Sequence, residues 1–466
     1  MQSRFYLSLL LISSLVLLTF VAIATYSALT PEWKQYQTEY KDFLIKNAKD
    51  EATRERAEKI DIGIQQIYLT SMKKADRCTS CHRGVENPLM ANAEQPHRQH
   101  SGNYLENHPV AKFGCTICHR GQGQAMNLRE AHGEEHTHWD FPIMPIKYIQ
   151  SSCALCHDFE MLKHEGGGHV AKGEEFFRGK GCRGCHKLNG VGGDLGKALD
   201  GIGSRARAYF PMKHVVGDRT IYNWVKQHFD DPRQIVPESE MRAFLTGEES
   251  DLLTTYVLTF TSEQMPRNYM LIKNIVMPRT DGESLYKMYC IACHSDGKAS
   301  IYDEILKRTI PAIMNPSFLK AIDDNYLKKI LKEGRQGTQM TAWKVDAAGL
   351  TEQEIDRIIE YIAKDRPAAK TEPFDVAKFK ADVKRGEELF NIRCALCHGK
   401  KGEGDLGLNL KNPVVQAADP AFLAVTVRDG RAGTPMPPFG KDGVGLIEQD
   451  IADIVSYVKT LSQKKL

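Results

Sequence analysis

The longest apolar stretch of the chain lies at its start. Residues 5–29 carry no charge and are rich in Leu, Val, Ile and Ala. A stretch of this length can cross a bilayer as one helix. The pattern therefore predicts a transmembrane segment within residues 1–30, and no later stretch is apolar enough to span.

The same segment has two interpretations. A secretory signal peptide would have a shorter apolar region, although residues 22–24 (Ala-Ile-Ala) resemble a cleavage site. The length favours an uncleaved anchor, with Trp33 at the interface. Both interpretations send residues 32–466 across the membrane, with the N-terminus in the cytoplasm. We therefore expect an inner (cytoplasmic) membrane protein with its domains in the periplasm or on the outer face.

A charged stretch follows the anchor. Residues 31 to about 60 are dense in Glu, Lys, Asp and Arg, which predicts a solvated helix. Residues 62–69 are more apolar. We interpret residues 31–77 as a stalk, with residues 35–58 as a plain spacer.

Helical periodicity returns three times after residue 168. Each unit opens with a short amphipathic helix that begins at a glycine and ends at an aromatic residue. Each closes with a second amphipathic helix that carries a tyrosine in the same place. Capping boxes are predicted at Thr246-x-x-Glu249 and Thr351-x-x-Glu354. The domains are expected at 168–263, 280–366 and 380–466, with opening helices at 173–177, 282–286 and 386–390, closing helices at 248–260, 352–363 and 449–461, and tyrosines Tyr256, Tyr361 and Tyr457.

Residues 78–165 show little regular periodicity and are rich in His, Gly, Asn and Pro. The expected fold class is therefore mainly α with much irregular structure.

All 12 cysteines occur in C-x-x-C pairs, and every pair is followed at once by His. This is the attachment signature of c-type haem. Zinc is the alternative, because paired C-x-x-C units also form four-cysteine zinc sites. A His behind all six pairs favours haem, so six haem c groups are expected. The attachment cysteines are Cys78, Cys81, Cys115, Cys118, Cys153, Cys156, Cys182, Cys185, Cys290, Cys293, Cys394 and Cys397, and the proximal iron ligands are His82, His119, His157, His186, His294 and His398.

Composition and charge limit the kinds of partner that we expect. The formal net charge is +3 and charged residues make up 26%, with no basic block that would favour nucleic acid.

The first three motifs lie 37 and 38 residues apart and define a trihaem module at 78–165. The module's surplus of histidine favours His/His axial ligation. Of eight spare histidines we rank His100, His108 and His132 highest as distal ligands. The reserves are His97, His136 and His138, while His164 and His169 flank a glycine linker.

The last three motifs favour methionine as the second ligand. Between residues 374 and 466 the only spare ligand is Met436, which lies in a Gly/Pro-rich loop before the closing helix. Met340 lies in a similar stretch of the second of these domains, residues 334–343. Met241 is the candidate in the first of these domains, where His214 and His228 are rivals. Met212, Met288 and Met314 are interpreted as core residues.

Residues 168–466 resemble three tandem class I cytochrome c domains, through the opening helix, C-x-x-C-H, Met loop and closing aromatic helix. The N-terminal module is similar to membrane-anchored multihaem subunits of Rieske/cytochrome b-type quinol-oxidising complexes. Ser101 stands where such relatives lead us to expect Pro after His100. The second resemblance rests on residues 76–82, 108–115, 121–123 and 131–133.

The ligand pattern predicts the direction of electron flow. Met/His ligation raises the reduction potential of a haem. Electrons would then run from a membrane donor through the trihaem module to the class I domains, and on to a soluble cytochrome or terminal oxidase. No catalytic residue is assigned. The alternatives are a multihaem reductase with one open haem site and a cytochrome subunit of a periplasmic dehydrogenase.

Overall fold

A computed structural model describes residues 2–134, 139–242, 247–263, 281–335, 338–368 and 372–461, and the single residues 245, 265, 266 and 269. The chain divides into two compact units. The first comprises residues 1–157, 205–227 and 263–272, and the second comprises residues 158–204, 228–262 and 273–466.

The described part of the chain is mainly helical, as expected. Its strands form two antiparallel hairpins, in which Ile67 pairs with Asp76 and Ile301 with Ile310. The strands are β1 Ile67–Leu69, β2 Lys74–Asp76, β3 Ile301–Asp303 and β4 Arg308–Ile310. The helices are α1 Gln2–Leu29, α2 Glu32–Lys46, α3 Glu51–Glu58, α4 Tyr104–Asn107, α5 Val110–Phe113, α6 Thr116–His119, α7 Leu128–His132, α8 Gln150–Cys153, α9 Phe159–His164, α10 Gly168–Gly179, α11 Ile221–Asp230, α12 Pro232–Ile235, α13 Gly247–Val257, α14 Gly282–Tyr289, α15 Ile291–His294, α16 Pro316–Ala321, α17 Asp324–Glu333, α18 Glu352–Ala363, α19 Val383–Arg393, α20 Ala395–His398, α21 Pro413–Ala417, α22 Pro420–Asp429 and α23 Glu448–Thr460.

Helix α1 matches the predicted membrane segment. Its large apolar side chains are all exposed, and it belongs to the one described helix that is long and apolar enough to cross a bilayer. A helix with apolar residues on every side is stable in lipid rather than in water.

The stalk is not a plain spacer, which corrects our expectation for residues 35–58. Gln37 and Tyr40 of α2 are buried. The Gln37 side chain donates to the carbonyls of Gly63 and Ser80, each at 2.9 Å. The Tyr40 hydroxyl accepts from Asn87 at 2.9 Å. Two neutral side chains of α2 therefore pack against the start of the trihaem module.

Glycine decides how the opening and closing helices meet in the three C-terminal repeats. A Cβ on Gly173, Gly282 or Gly386 would lie 2.3, 2.1 or 2.1 Å from a backbone oxygen of the closing helix. The tyrosines expected at corresponding places pack on aromatic residues of the opening helices. The ring-centroid distances are 5.2 Å for Phe177–Tyr256, 5.4 Å for Tyr286–Tyr361 and 5.3 Å for Phe390–Tyr457.

Apolar cores are described for the second and third repeats. The core of the second repeat contains Ile355, Ile358 and Leu319, and that of the third contains Ile451 and Phe390. Met288 and Met314 belong to the first of these cores, as expected. In the first unit, a smaller cluster joins Leu69, Ile117, Met265 and Tyr269.

Helix α18 begins with the predicted capping box. The Thr351 side chain accepts from the Glu354 amide, and the Glu354 carboxylate accepts from the Thr351 amide at 2.9 Å. Thr246 lies outside the described residues.

Gly386→Ala should destabilise the third repeat by about 1–3 kcal/mol, because the added methyl overlaps the Asp453 carbonyl and forces the helices apart. Gly179→Ala is the matched control, since nothing lies within 4 Å of its Cβ position. Thermal unfolding of the holoprotein checks both, and equal melting curves for the two variants would contradict this packing.

Candidate haem centres

Each attachment motif forms one hydrogen-bonded turn. The histidine amide donates to the carbonyl of the first cysteine at 2.9 or 3.0 Å in all six motifs. This turn brings the two sulfurs and the imidazole of a motif close together in space. None of the 12 cysteines forms a disulfide. The donor set is therefore the one that c-type haem requires: two thiols for the vinyl groups and one imidazole for the iron.

Backbone carbonyls orient four of the six proximal imidazoles through Nδ1. His82 pairs with the Pro96 carbonyl at 3.1 Å, His186 with Lys197 at 2.8 Å, His294 with Pro311 at 3.2 Å and His398 with Leu408 at 2.8 Å. A hydrogen bond at Nδ1 leaves Nε2 as the nitrogen that binds a metal.

Burial keeps these imidazoles neutral. It lowers the pKa of His294 to about 4, and it lowers the pKa values of His82, His119, His186 and His398 in the same direction. A neutral imidazole is the form that binds iron.

The first unit brings each of its proximal histidines opposite one of the three candidate distal histidines. The ring centroids are 6.3 Å apart for His82 and His132, 6.0 Å for His119 and His100, and 5.8 Å for His157 and His108. Two imidazoles that bind one metal from opposite sides, with bonds of about 2 Å, have centroids about 6 Å apart. The residues present therefore fit three bis-histidine sites.

The remaining histidines of this region contact other groups or are not described. His97 lies 3.2 Å from the Glu39 carboxylate and His164 lies 3.6 Å from Glu160. His136 and His138 lie outside the described residues.

The three motifs of the first unit are neighbours in chain order. The Cys78 and Cys115 sulfurs lie within 4.8 Å of each other. Burial, and then the nearby Cys153, raise the pKa of the Cys118 thiol to about 12. Ser152 also donates to the Cys118 carbonyl at 2.8 Å. The attachment sulfurs of successive motifs therefore lie side by side.

Corresponding hydrogen bonds hold the two C-terminal candidate methionines. The amide of Arg335 donates to the Met340 carbonyl at 2.8 Å, and that of Arg431 to the Met436 carbonyl at 2.9 Å. A threonine hydroxyl accepts from each methionine amide, at 3.1 Å for Met340 and 3.2 Å for Met436. These bonds fix the backbone of each methionine.

The first repeat shares one of these contacts, because the Met241 amide also donates to a hydroxyl two residues earlier in the chain. His228 is buried and its pKa is lowered to about 4, by burial and then by His186. The proximal His186 and the candidate distal ligand His228 are therefore close to each other. Met241 is half-buried, with its amide donating to the Ser239 hydroxyl at 3.2 Å. Met241 stays the predicted ligand, with His228 as its rival.

The motifs of the first and second repeats pack against each other. Cys293 is close enough to Cys185 to raise the pKa of its thiol, and a Cβ on Gly184 would lie 2.6 Å from the Tyr289 carbonyl. Arg242 donates to the Ala292 carbonyl at 3.0 Å and forms an ion pair with Asp303. The small third residue of each motif allows this approach.

The corresponding face of the third repeat is open. Leu396, which replaces Gly184 and Ala292, is 84% exposed, and Ile392 is 73% exposed. Sequence reasoning overlooked this face, because a single apolar residue between two cysteines gives no signal of its exposure.

Family comparisons agree with this chemistry. The family "Cytochrome C oxidase, cbb3-type, subunit III" matches residues 278–362 and 381–458, and the family "Cytochrome c" matches residues 170–261. The cytochrome c-553-like protein of Synechocystis is 34% identical over 86 residues, which cover 18% of this chain and 75% of that protein. The chain therefore belongs to the cytochrome c family. It is a multihaem c-type cytochrome that takes part in electron transfer.

A longer relative covers two of the repeats. The cbb3-type cytochrome c oxidase subunit CcoP of Azospirillum is 27% identical over 203 residues, which are 40% of this chain. The chain spans 62% of that relative's length. Among solved structures, the Kuenenia stuttgartiensis reducing HAO-like protein complex covers 39% of this chain and 94% of its own, at 18% identity and a TM-score of 0.28.

His108→Met should raise the reduction potential of one haem of the first unit, because methionine would replace the candidate nitrogen ligand opposite His157. His164→Met is the control, because His164 lies against Glu160 and not against a proximal histidine. An EPR-monitored potentiometric titration measures both. Unchanged potentials in the His108→Met protein would exclude His108 as a ligand.

Intact mass spectrometry of the mature protein should give six haem masses. Replacing Cys394 and Cys397 by Ala should remove one of the six, because the thioether bonds of the last motif cannot form. Retention of all six would show that another pair holds that haem.

Proposed function

We propose that this chain is a hexahaem relay. It carries single electrons from a cytochrome b/Rieske-type quinol-oxidising complex in the membrane to a soluble cytochrome or terminal oxidase. Residues 32–466 work in the periplasm, on the outer side of the inner membrane. Haem supplies the one-electron carrier when bound, and the chain supplies its ligands, spacing and electrostatics.

The observation that carries this proposal is the contact between the membrane-proximal stalk and the first attachment motif. Gln37 lies eight residues beyond the end of α1, or about 12 Å at 1.5 Å per residue. Its side chain donates to the Ser80 carbonyl, inside the first motif. Glu32, at the start of α2, accepts from the Leu128 amide at 2.8 Å. The first motif therefore lies near the membrane end of the stalk, where a quinol-oxidising partner would deliver electrons.

The order of the motifs supports a relay. In the first unit, the sulfur of Cys78 lies near that of Cys115, and Cys118 lies near Cys153. In the second unit, Cys185 lies near Cys293. Junctions of this kind shorten the path between carriers, and a protein that only displayed separate carriers would gain nothing from them.

The ligand gradient supports the direction. Histidine pairs face each other in the membrane-proximal unit, and Met loops precede the closing helices of the second and third repeats. Since Met/His ligation raises the reduction potential, electron transfer from the histidine-ligated haems to the Met-ligated haems would release free energy.

The third repeat is the proposed exit. Its motif face carries exposed Leu396 and Ile392, beside the exposed cations Lys400 and Lys401. The matching faces of the first two repeats pack against each other. An acidic c-type domain with a small residue in its own motif would fit this face, as Gly184 fits Ala292. Relatives named as cbb3-type oxidase subunits support work within a membrane complex.

The central test is a potentiometric titration of the purified protein, followed by EPR. We expect only low-spin haems, in a low-potential nitrogen-ligated group and a high-potential Met-ligated group. A high-spin haem that shifts on adding nitrite, sulfite or peroxide would replace the relay by the reductase alternative.

Leu396→Glu should slow electron transfer to an acidic soluble cytochrome c at least tenfold, because it places a charge in the apolar centre of the exit face. Val345→Glu is the matched control, since Val345 is an apolar residue of the second repeat that is 65% exposed. Stopped-flow oxidation of the pre-reduced protein gives both rates. Equal rates for the two variants would show that electrons leave the protein from another surface.

A further inference from the structure

A buried carboxylate connects the first two attachment motifs. Asp76, the last residue of β2, is fully buried. Its Oδ1 accepts from the Cys78 amide at 3.1 Å. Its Oδ2 accepts from the amides of Cys115 and Thr116, both at 2.8 Å. One side chain therefore holds the beginnings of two motifs that lie 37 residues apart in the sequence.

Two glycines lie close to the Asp76 carboxylate and leave space for it. Gly114 precedes the second motif with φ +62°, and a Cβ there would lie 2.9 Å from Asp76 Oδ2. Gly123 approaches from the other side, and its carbonyl accepts from the Arg77 amide at 2.8 Å. The glycines give the two segments room to close on the carboxylate.

A metal ion is the competing explanation for this cluster. One ligand atom each from Asp76, Cys78 and Cys115 lies within 4.8 Å of the others. Both cysteines begin C-x-x-C-H motifs, however, and a thioether sulfur carries no charge for a metal. The carboxylate oxygens already accept three amide hydrogens, which compensate the cost of burying the charge.

We infer that Asp76 is a positioning residue that clamps the first two haem-attachment motifs together and lowers the reduction potentials of both haems. This inference rests on the proposed haem content. A ferric haem carries one more positive charge than a ferrous haem, so a fixed negative charge beside it favours the oxidised form. The effect is strong because a buried charge is poorly screened by solvent.

The test is an EPR-monitored potentiometric titration of Asp76→Asn in the full-length holoprotein. The substitution removes the charge and keeps the size. Two of the three low-potential haems should shift upward, with at least a tenfold change in the reduced-to-oxidised ratio at fixed ambient potential, or about 59 mV. The third should stay unchanged, and it should be the one that shifts in His108→Met.

Asp140→Asn is the matched control. Asp140 belongs to the same unit and accepts a backbone amide, from Arg207 at 2.9 Å, but it is exposed. Its removal should leave all potentials unchanged. Unchanged potentials in Asp76→Asn, or an equal shift of all three haems, would overturn the inference.

Gly114→Ala gives an independent answer if Asp76→Asn fails to mature. The added methyl pushes against Asp76 Oδ2 while the charge remains. The same two haems should change their potentials and EPR line shapes, and an effect on neither would overturn the clamp. The relay is judged separately, from the spin states of the unsubstituted protein.

Discussion

The rest of the structure is organised around six short turns that suit the covalent attachment of haem. Each turn fixes two sulfurs and an imidazole within five residues. Between residues 104 and 153 the α-helices are four or five residues long, and one described apolar cluster of the first unit has Leu69 and Ile117 among its members. Attachment would therefore provide much of the apolar surface that a larger core provides elsewhere. The second and third repeats can fold around helices as well as haem, because their closing helices bury Ile355 and Ile451.

Close approach of backbone to backbone is the second constraint. Gly173, Gly282 and Gly386 let the helices of each repeat cross, and Gly181 and Gly184 let two motifs meet. The same principle explains the open face of the third repeat. Leu396 is too large for such a junction between motifs, and it remains exposed.

Electrostatics divides the two units. The first unit holds the buried carboxylate of Asp76. The Met loops of the second unit instead carry buried cations. Burial lowers the pKa of Arg431 to about 10, and its guanidinium lies over the rings of Phe318 and Phe422. A negative charge near one set of haems and positive charges near another would widen the potential gap that the ligands create.

The sequence by itself predicted the C-x-x-C-H turns, the recurring opening and closing helices and the apolar N-terminal helix, because these depend on residues that are close together in the chain or recur with a fixed period. It also ranked His100, His108 and His132 above the other histidines. Only the tertiary structure decided which motif each of them faces. His132, for example, lies opposite His82, fifty residues away, and not opposite the nearer His119. The contacts of Gln37 and Asp76 were hidden for the same reason, since a polar side chain shows no periodicity and its partners are brought to it only by folding.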